Sequence, residues 1–214
     1  MTRTATYSSN TVLKVLVLNA SLKHKGTLSN TEELSRLVIK NMRTEHTELK
    51  SEIIRLSDLY IPAGLKFRED KNDKWPLLAE KMITSDIIIF ATPIWWGGRS
   101  SLMQGIIERM DSFDEQYKEK GRSVLLNKIA GVVITGSEDG AQATLGSILS
   151  VLTFMNFTIP PECCTYWVGE VGKSPKTNRR DRLKNKAAKL MAKKMAHNLV
   201  FYANLLKKYP LNSL

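Results

Sequence analysis

Cysteine is nearly missing from this sequence, and its two copies, Cys163 and Cys164, are adjacent. That arrangement offers neither a disulfide framework nor the spaced pairs of a zinc or iron–sulfur site. Histidine is scarce as well, with three dispersed copies, so no protein-bound metal is expected. No apolar run approaches the ~20 residues of a membrane-spanning helix, and the polar start of the chain lacks the apolar core of a signal peptide. A cytoplasmic protein with no membrane partner is expected. Both Gly-x-x-x-x-Gly-Lys-Ser/Thr and Gly-x-Gly-x-x-Gly are absent, which argues against nucleoside triphosphate loops and Rossmann-type dinucleotide sites.

Acidic residues are in deficit: 21 Asp and Glu stand against 32 Lys and Arg, a net charge of +11. Between Lys173 and Lys194 ten basic residues face one acid, Asp181. Such a segment suits nucleic acid, an anionic surface, or steering of an anionic cosubstrate. The apolar residues Leu183, Ala187, Leu190, Met191, Met195 and Leu199 recur at helical spacing, so a solvated face of an amphipathic helix is the reading adopted. No interleaved aromatics offer bases a stacking surface, and no nucleic-acid partner is expected. The segment also lies far along the chain from the loops considered below.

What is present is a hydrophobic fraction of 43% over 214 residues, enough for one full core. Residues 1–11 are read as a disordered leader and 12–214 as a single domain. Strands are expected at Val12–Leu18, Ser51–Leu56, Asp86–Thr92, Ile129–Ile134 and Thr158–Val168. Helices are expected at Asn30–Arg43, Pro76–Ser85, Ser101–Ser112, Ala141–Met155 and Asn178–Lys208. The stretch Asp58–Trp75 is long, charged and irregular. The third strand, with its run Ile87-Ile88-Ile89-Phe90-Ala91, reads as buried on both faces, and Pro93 is expected to stop its ladder. Strand and helix alternate five times, so the fold class is α/β: a doubly wound five-stranded parallel sheet, order 2-1-3-4-5, with helices on both faces.

In such sheets ligands bind at the carboxyl edge, at the switch between the first and third strands. Three loops leave that edge. The first carries Ser21, Lys23, Ser29, Asn30 and Thr31 ahead of a helix N-terminus; hydroxyls, an amide, a cation and free helix N–H groups make an anion site. A serine-rich helix cap would look the same. The second is Thr92-Pro93-Ile94-Trp95-Trp96-Gly97-Gly98, where glycines admit close backbone approach and the tryptophans offer flat apolar faces, either to a ligand or to the core. The third is Thr135-Gly136-Ser137 through Gly140. Cys163 and Cys164 read as buried structural thiols, and His24 as a solvated loop residue.

Together these loops resemble the flavodoxin-like NAD(P)H-dependent FMN reductase family. The match comprises Asn19-Ala20-Ser21-Leu22-Lys23 with Ser29-Asn30-Thr31, then Thr92 to Gly98, then a helix ending Ile107-Glu108-Arg109 where the family's ends apolar-Asp-Arg, then the third loop. The resemblance implies that Ser21, Lys23, Ser29, Asn30 and Thr31 hold the phosphate of FMN. Thr92, Pro93, Ile94, Trp95, Trp96, Gly97 and Gly98 would line its ring system, and Thr135, Gly136, Ser137 and Gly140 its pyrimidine side. It further implies a homodimer or homotetramer, and an enzyme passing hydride from NAD(P)H through FMN to a quinone, flavin or other aromatic acceptor. No residue pair marks itself as a nucleophile and base. The other reading is a flavodoxin-type electron carrier; a sequence pI of ≈ 9.6 favours the enzyme, because such carriers tend to be acidic.

Overall fold

The computed structural model describes residues 11–137 and 139–212; the proposed leader falls outside them except for Thr11. Five parallel strands stand in the order β2 (Leu49–Arg55), β1 (Leu13–Asn19), β3 (Ile87–Trp95), β5 (Ile129–Gly136), β6 (Cys164–Val168). A sixth strand, β4 (Gly98–Arg99), adds only a two-residue antiparallel return against β3. The expected doubly wound sheet is therefore present, with its direction of winding reversing between β1 and β3.

Period-two alternation along the buried strands sends successive side chains to opposite faces. Leu16, Leu18, Ile88, Phe90, Val132 and Ile134 face one way, onto α2 (Trp75–Thr84), α3 (Ser101–Arg109) and α5 (Ala141–Phe154). Val15, Val17, Ile87, Ile89 and Val133 face the other way, onto α1 (Asn30–Glu45) and α7 (Lys186–Lys208). Cys163 is buried and Cys164 half-buried, both unpaired. Desolvation first, and then the neighbouring Cys164, push the Cys163 thiol up to about 11, which suits an inert packing role.

Several boundaries differ from expectation. Strand β3 does not stop at Pro93, which pairs with Thr135. Its neighbour on the other side, β1, has already ended opposite Ala91, and a position with one neighbour tolerates a missing N–H. The polar stretch after α3 holds a short helix, α4 (Phe113–Lys120). The fifth parallel strand shrinks to Cys164–Val168, leaving one isolated bridge at Thr158. The single terminal helix is two, α6 (Pro175–Lys184) and α7, because Asn185 closes one and caps the other: its N–H donates to Arg182 O, and its Oδ1 accepts from Ala188 N at 2.8 Å. That break resets the helical phase. The buried face of α7 is accordingly alanine-rich (Ala188, Ala192, Ala196, Ala203, with Met195 and Leu199), while Leu183 and Leu190 are exposed.

The Asp58–Trp75 stretch is pinned rather than loose. Asp73 accepts from Glu69 N and Trp75 N at 3.0 and 2.8 Å and pairs with Arg109 of α3 at 2.9 Å. The Arg109 guanidinium also reaches Glu69 at 3.2 Å and lies 5.6 Å from the Trp75 ring centroid. Side-chain exposure is 1% for Arg109 and 0% for Asp73, so removing one partner strands a charge in the core. Asp73→Ala should lower the unfolding free energy by about 3 to 5 kcal/mol, the range for breaking a buried pair. Urea denaturation measures it, and a loss under about 1 kcal/mol would contradict this role.

Candidate functional site

Parallel strands release the chain at one edge, so the loops after β1, β3 and β5 meet there. They enclose a crevice of ≈ 270 Å³ lined by Ser21, Lys23, Ser29, Asn30, Thr31, Pro93, Ile94, Trp95, Thr135, Gly136 and Ser137. Two buried hydroxyl contacts lock the loops to each other. Thr31 Oγ1 meets Thr135 Oγ1 at 2.7 Å, and the hydroxyl of Ser100 donates to Ala20 O at 2.8 Å while accepting from Met103 N as the cap of α3. A larger groove of ≈ 450 Å³ lies between α3 and residues 56–63. It takes in the first turn of α3 at Ser101 and Leu102 but none of the loops after β1, β3 and β5, so the smaller crevice at the switch of winding is taken as the site.

At one end of the crevice Ser29 caps α1, its Oγ accepting from Glu32 N at 3.2 Å. Ser21 Oγ accepts from Lys23 N at 3.3 Å, and the Lys23 ammonium donates to Leu28 O at 3.1 Å. The loop itself is gathered by Arg55, at the end of β2. Its guanidinium donates to the carbonyls of Lys23, His24 and Thr27 and pairs with Glu32 at 2.6 Å. Nothing in the spacing of Arg55 announces this; the parallel register places it beside Asn19, where the loop begins. His24 is exposed and contacts Asp58 at 3.2 Å.

The other end is an apolar wall of Pro93, Ile94 and Trp95. Trp96 and Gly97 form the two-residue turn between β3 and β4, both with positive φ (50° and 76°), as a type I′ hairpin requires. For tryptophan this is a strained conformation, and Trp96 is 90% exposed, so it neither caps the core nor lines the crevice. Thr92 is also outside the lining. It is buried, with its hydroxyl donating to Pro93 O and accepting from Ser100 N. Gly97 and Gly98 belong to the hairpin. Gly140, at φ 116°, packs on Gly97 so closely that a Cβ would lie 2.5 Å from Gly97 O, so it shapes the turn from behind.

The basic segment does not lie apart from the crevice, nor is it wholly solvated. Arg182 is 2% exposed and pairs with Glu33 of α1; Arg179 Nε joins the same carboxylate at 2.6 Å. Asn178, buried, reaches Ser137 Oγ at 3.5 Å. The reason is topological. After β6 the chain leaves at the same edge as the three loops, with Gly169 N still donating to Gly136 O at 2.7 Å, and α6 must pass the crevice before α7 returns. Separation along the chain was no guide to distance.

Among the described residues no group of three or more His, Cys, Asp or Glu is placed to hold a metal, and no helix is long and apolar enough to cross a membrane. Residues 13–170 match the family model described as NADPH-dependent FMN reductase. The chain is 32% identical over 174 residues to an 8-demethyl-8-aminoriboflavin-5'-phosphate synthase of Streptomyces davaonensis, covering 76% of this chain and 66% of the relative. It is 30% identical over 167 residues to a divalent metal cation transporter MntH of Mycobacterium bovis, covering 76% of this chain but 24% of that protein. A solved structure of RosB with the bound intermediate 8-demethyl-8-formylriboflavin-5'-phosphate superposes with a TM-score of 0.82 at 27% identity, over 94% of this chain and 83% of that one.

The Glu32–Arg55 contact yields a pH test. Burial alone would raise the Glu32 carboxyl, but hydrogen bonds from Arg36 and Arg55 outweigh it and hold the group below its ordinary 4.5. A lowered folded-state value means the stabilisation is complete above pH 4.5 and disappears as pH falls through the lowered value. The Tm advantage of the wild type over Glu32→Gln should therefore be constant near neutrality and shrink below pH 4.5. A gap independent of pH would show that the ionised carboxylate contributes nothing.

Proposed function

The chain belongs to the NADPH-dependent FMN reductase family, and from that premise we propose that the crevice binds FMN and that the protein is an oxidoreductase. In this reading hydride passes from NAD(P)H through FMN to a small-molecule acceptor: a quinone, a flavin or another aromatic. The observation that carries the reading is the crevice's polarity along its length, an anion site at the α1 N-terminus and an apolar wall at Ile94 and Trp95. FMN has the same polarity, a phosphate at one end of a polyhydroxy chain and a flat ring at the other.

The residues fit such a group on their own evidence. The amides of the first turn of α1 have no intrahelical acceptor, so Asn30 and Thr31 offer N–H donors to phosphate, with Ser21 and the Lys23 charge beside them. Asn30 Oδ1 is buried without a partner, an acceptor available to a ligand hydroxyl. Gly136 presses on Ile94, where a Cβ would sit 2.9 Å from its side chain, and so keeps the apolar wall close to the third loop. Bound FMN supplies hydride acceptance and release. The chain's own part is to hold the phosphate, orient the ring against Pro93–Trp95 and keep water from that face.

A second reading has its own support. The Streptomyces davaonensis relative is a synthase of a flavin phosphate derivative, so here the flavin phosphate would itself be the substrate, altered at its 8 position.

In either reading Ser21→Ala with Asn30→Ala should weaken FMN binding roughly a hundredfold, since the Ser21 bond to the charged phosphate contributes about 1.5 to 3 kcal/mol and the Asn30 Oδ1 bond to a neutral ligand hydroxyl about 0.5 to 1.5 kcal/mol. Fluorescence titration measures it, and unchanged affinity would remove this loop from the site. The fate of the flavin separates the readings. Protein loaded with one equivalent of FMN, given NADPH and a quinone, should oxidise many equivalents of NADPH and return FMN of unchanged mass. The same protein given dioxygen and an amino-group donor in place of NADPH and quinone should also return FMN of unchanged mass; a flavin of altered mass there would favour the second reading.

A further inference from the structure

The first turn of α1 carries two adjacent carboxylates, Glu32 and Glu33. They favour the helix dipole, yet they sit beside the amides that would receive a phosphate dianion. Glu33 follows Asn30 by three residues, about 4.5 Å along the helix axis. Left alone, both would repel the ligand. Neither is alone. Glu32 is held by Arg36 at 2.7 Å and Arg55 at 2.6 Å; Glu33 is held by Arg179 at 2.6 Å and by Arg182. Each carboxylate meets two guanidiniums, so the cluster of six charges is net positive by two.

The two arginines on Glu33 come from α6, beyond the residues 13–170 that match the family model. They are three apart and so share one face of the helix. Arg182 is an unusual investment for a surface helix, because it is 2% exposed and its Nε has no partner.

We propose that Arg179 and Arg182 are positioning residues for the phosphate of the flavin. By neutralising Glu33 they let the α1 N-terminus accept a dianion, and they make α6 part of the anion site. This rests on the proposed placement of flavin phosphate in the crevice. The arginines need not touch the ligand, because they act on the field of Glu33. Their contribution should depend on the ligand's charge and not on its ring.

Riboflavin, which lacks the phosphate, supplies the control. Wild-type protein should bind FMN more tightly than riboflavin in fluorescence titrations. Equal affinity for the two would defeat the placement of the phosphate itself, before any variant is made. In Arg179→Gln/Arg182→Gln the Kd for FMN should rise about tenfold or more, the scale of one uncompensated charge near a partly buried site, with riboflavin affinity unchanged. Adding Glu33→Gln to that background should restore FMN affinity, because the carboxylate that the arginines offset is then gone. A loss of FMN and riboflavin affinity in equal measure, no loss at all, or no restoration by Glu33→Gln would each overturn the proposal while leaving the crevice assignment standing.

Discussion

Parallel strands all point one way, and that constraint organises the molecule. Each of the five delivers the chain to the same edge of the sheet, so whatever follows a strand is brought to one place, whether the loop after β1 or the helix after β6. The reversal of winding between β1 and β3 opens a gap there that no crossover helix covers. Hydroxyl contacts then fix the loops around it: Thr31 to Thr135 across the gap, Ser100 to Ala20 along it. The crevice is a consequence of topology, and the side chains only decide what fits.

What fits is decided by charge at one end. An isolated helix N-terminus attracts anions weakly, and the two glutamates of α1 work against it. The structure answers with arginines drawn from three places: Arg36 on the helix itself, Arg55 at the end of β2, and Arg179 and Arg182 on α6. Arg55 does more than neutralise. Through the carbonyls of Lys23, His24 and Thr27 it sets the path of the loop, so the same residue shapes the site and tunes its field. At the far end the work is steric, with Gly140 and Gly136 letting backbone and Ile94 come close enough to hold the Trp95 hairpin against the third loop.

Much of this could be read from the residues. The Ile87–Ala91 run and the alternation of strands with amphipathic helices sufficed for the sheet order, and Ser29 announced the cap that starts α1. That the loops after the first, third and fourth expected strands meet at one edge was also legible, because parallel strands release the chain on the same side, although the hydroxyls of the first loop would equally suit a helix cap. Legibility failed where long-range geometry decides. Arg55 looks like any strand-end arginine until the register sets it beside Asn19. Arg109 looks like a helix-terminal cation, yet it is buried against Asp73 and Trp75. The basic segment reads as one amphipathic helix unless Asn185 is recognised as a break, and only the parallel topology shows that α6 must cross the edge of the site. Trp96 stands outside the crevice lining for a related reason: its exposure follows from the hairpin turn, which the sequence pattern hides behind a proline expected to end the strand.

The central claim is that flavin phosphate occupies the crevice at the switch point, phosphate on the α1 N-terminus. Titrating ¹⁵N-labelled protein with FMN and following backbone amide resonances tests it most directly. The amides of Ser21, Asn30, Thr31, Trp95, Gly136 and Ser137 should shift together and saturate. Those lining the larger groove between α3 and residues 56–63, such as Leu59 and Gly105, should stay in place. Shifts confined to that groove, with the first turn of α1 unmoved, would contradict the account.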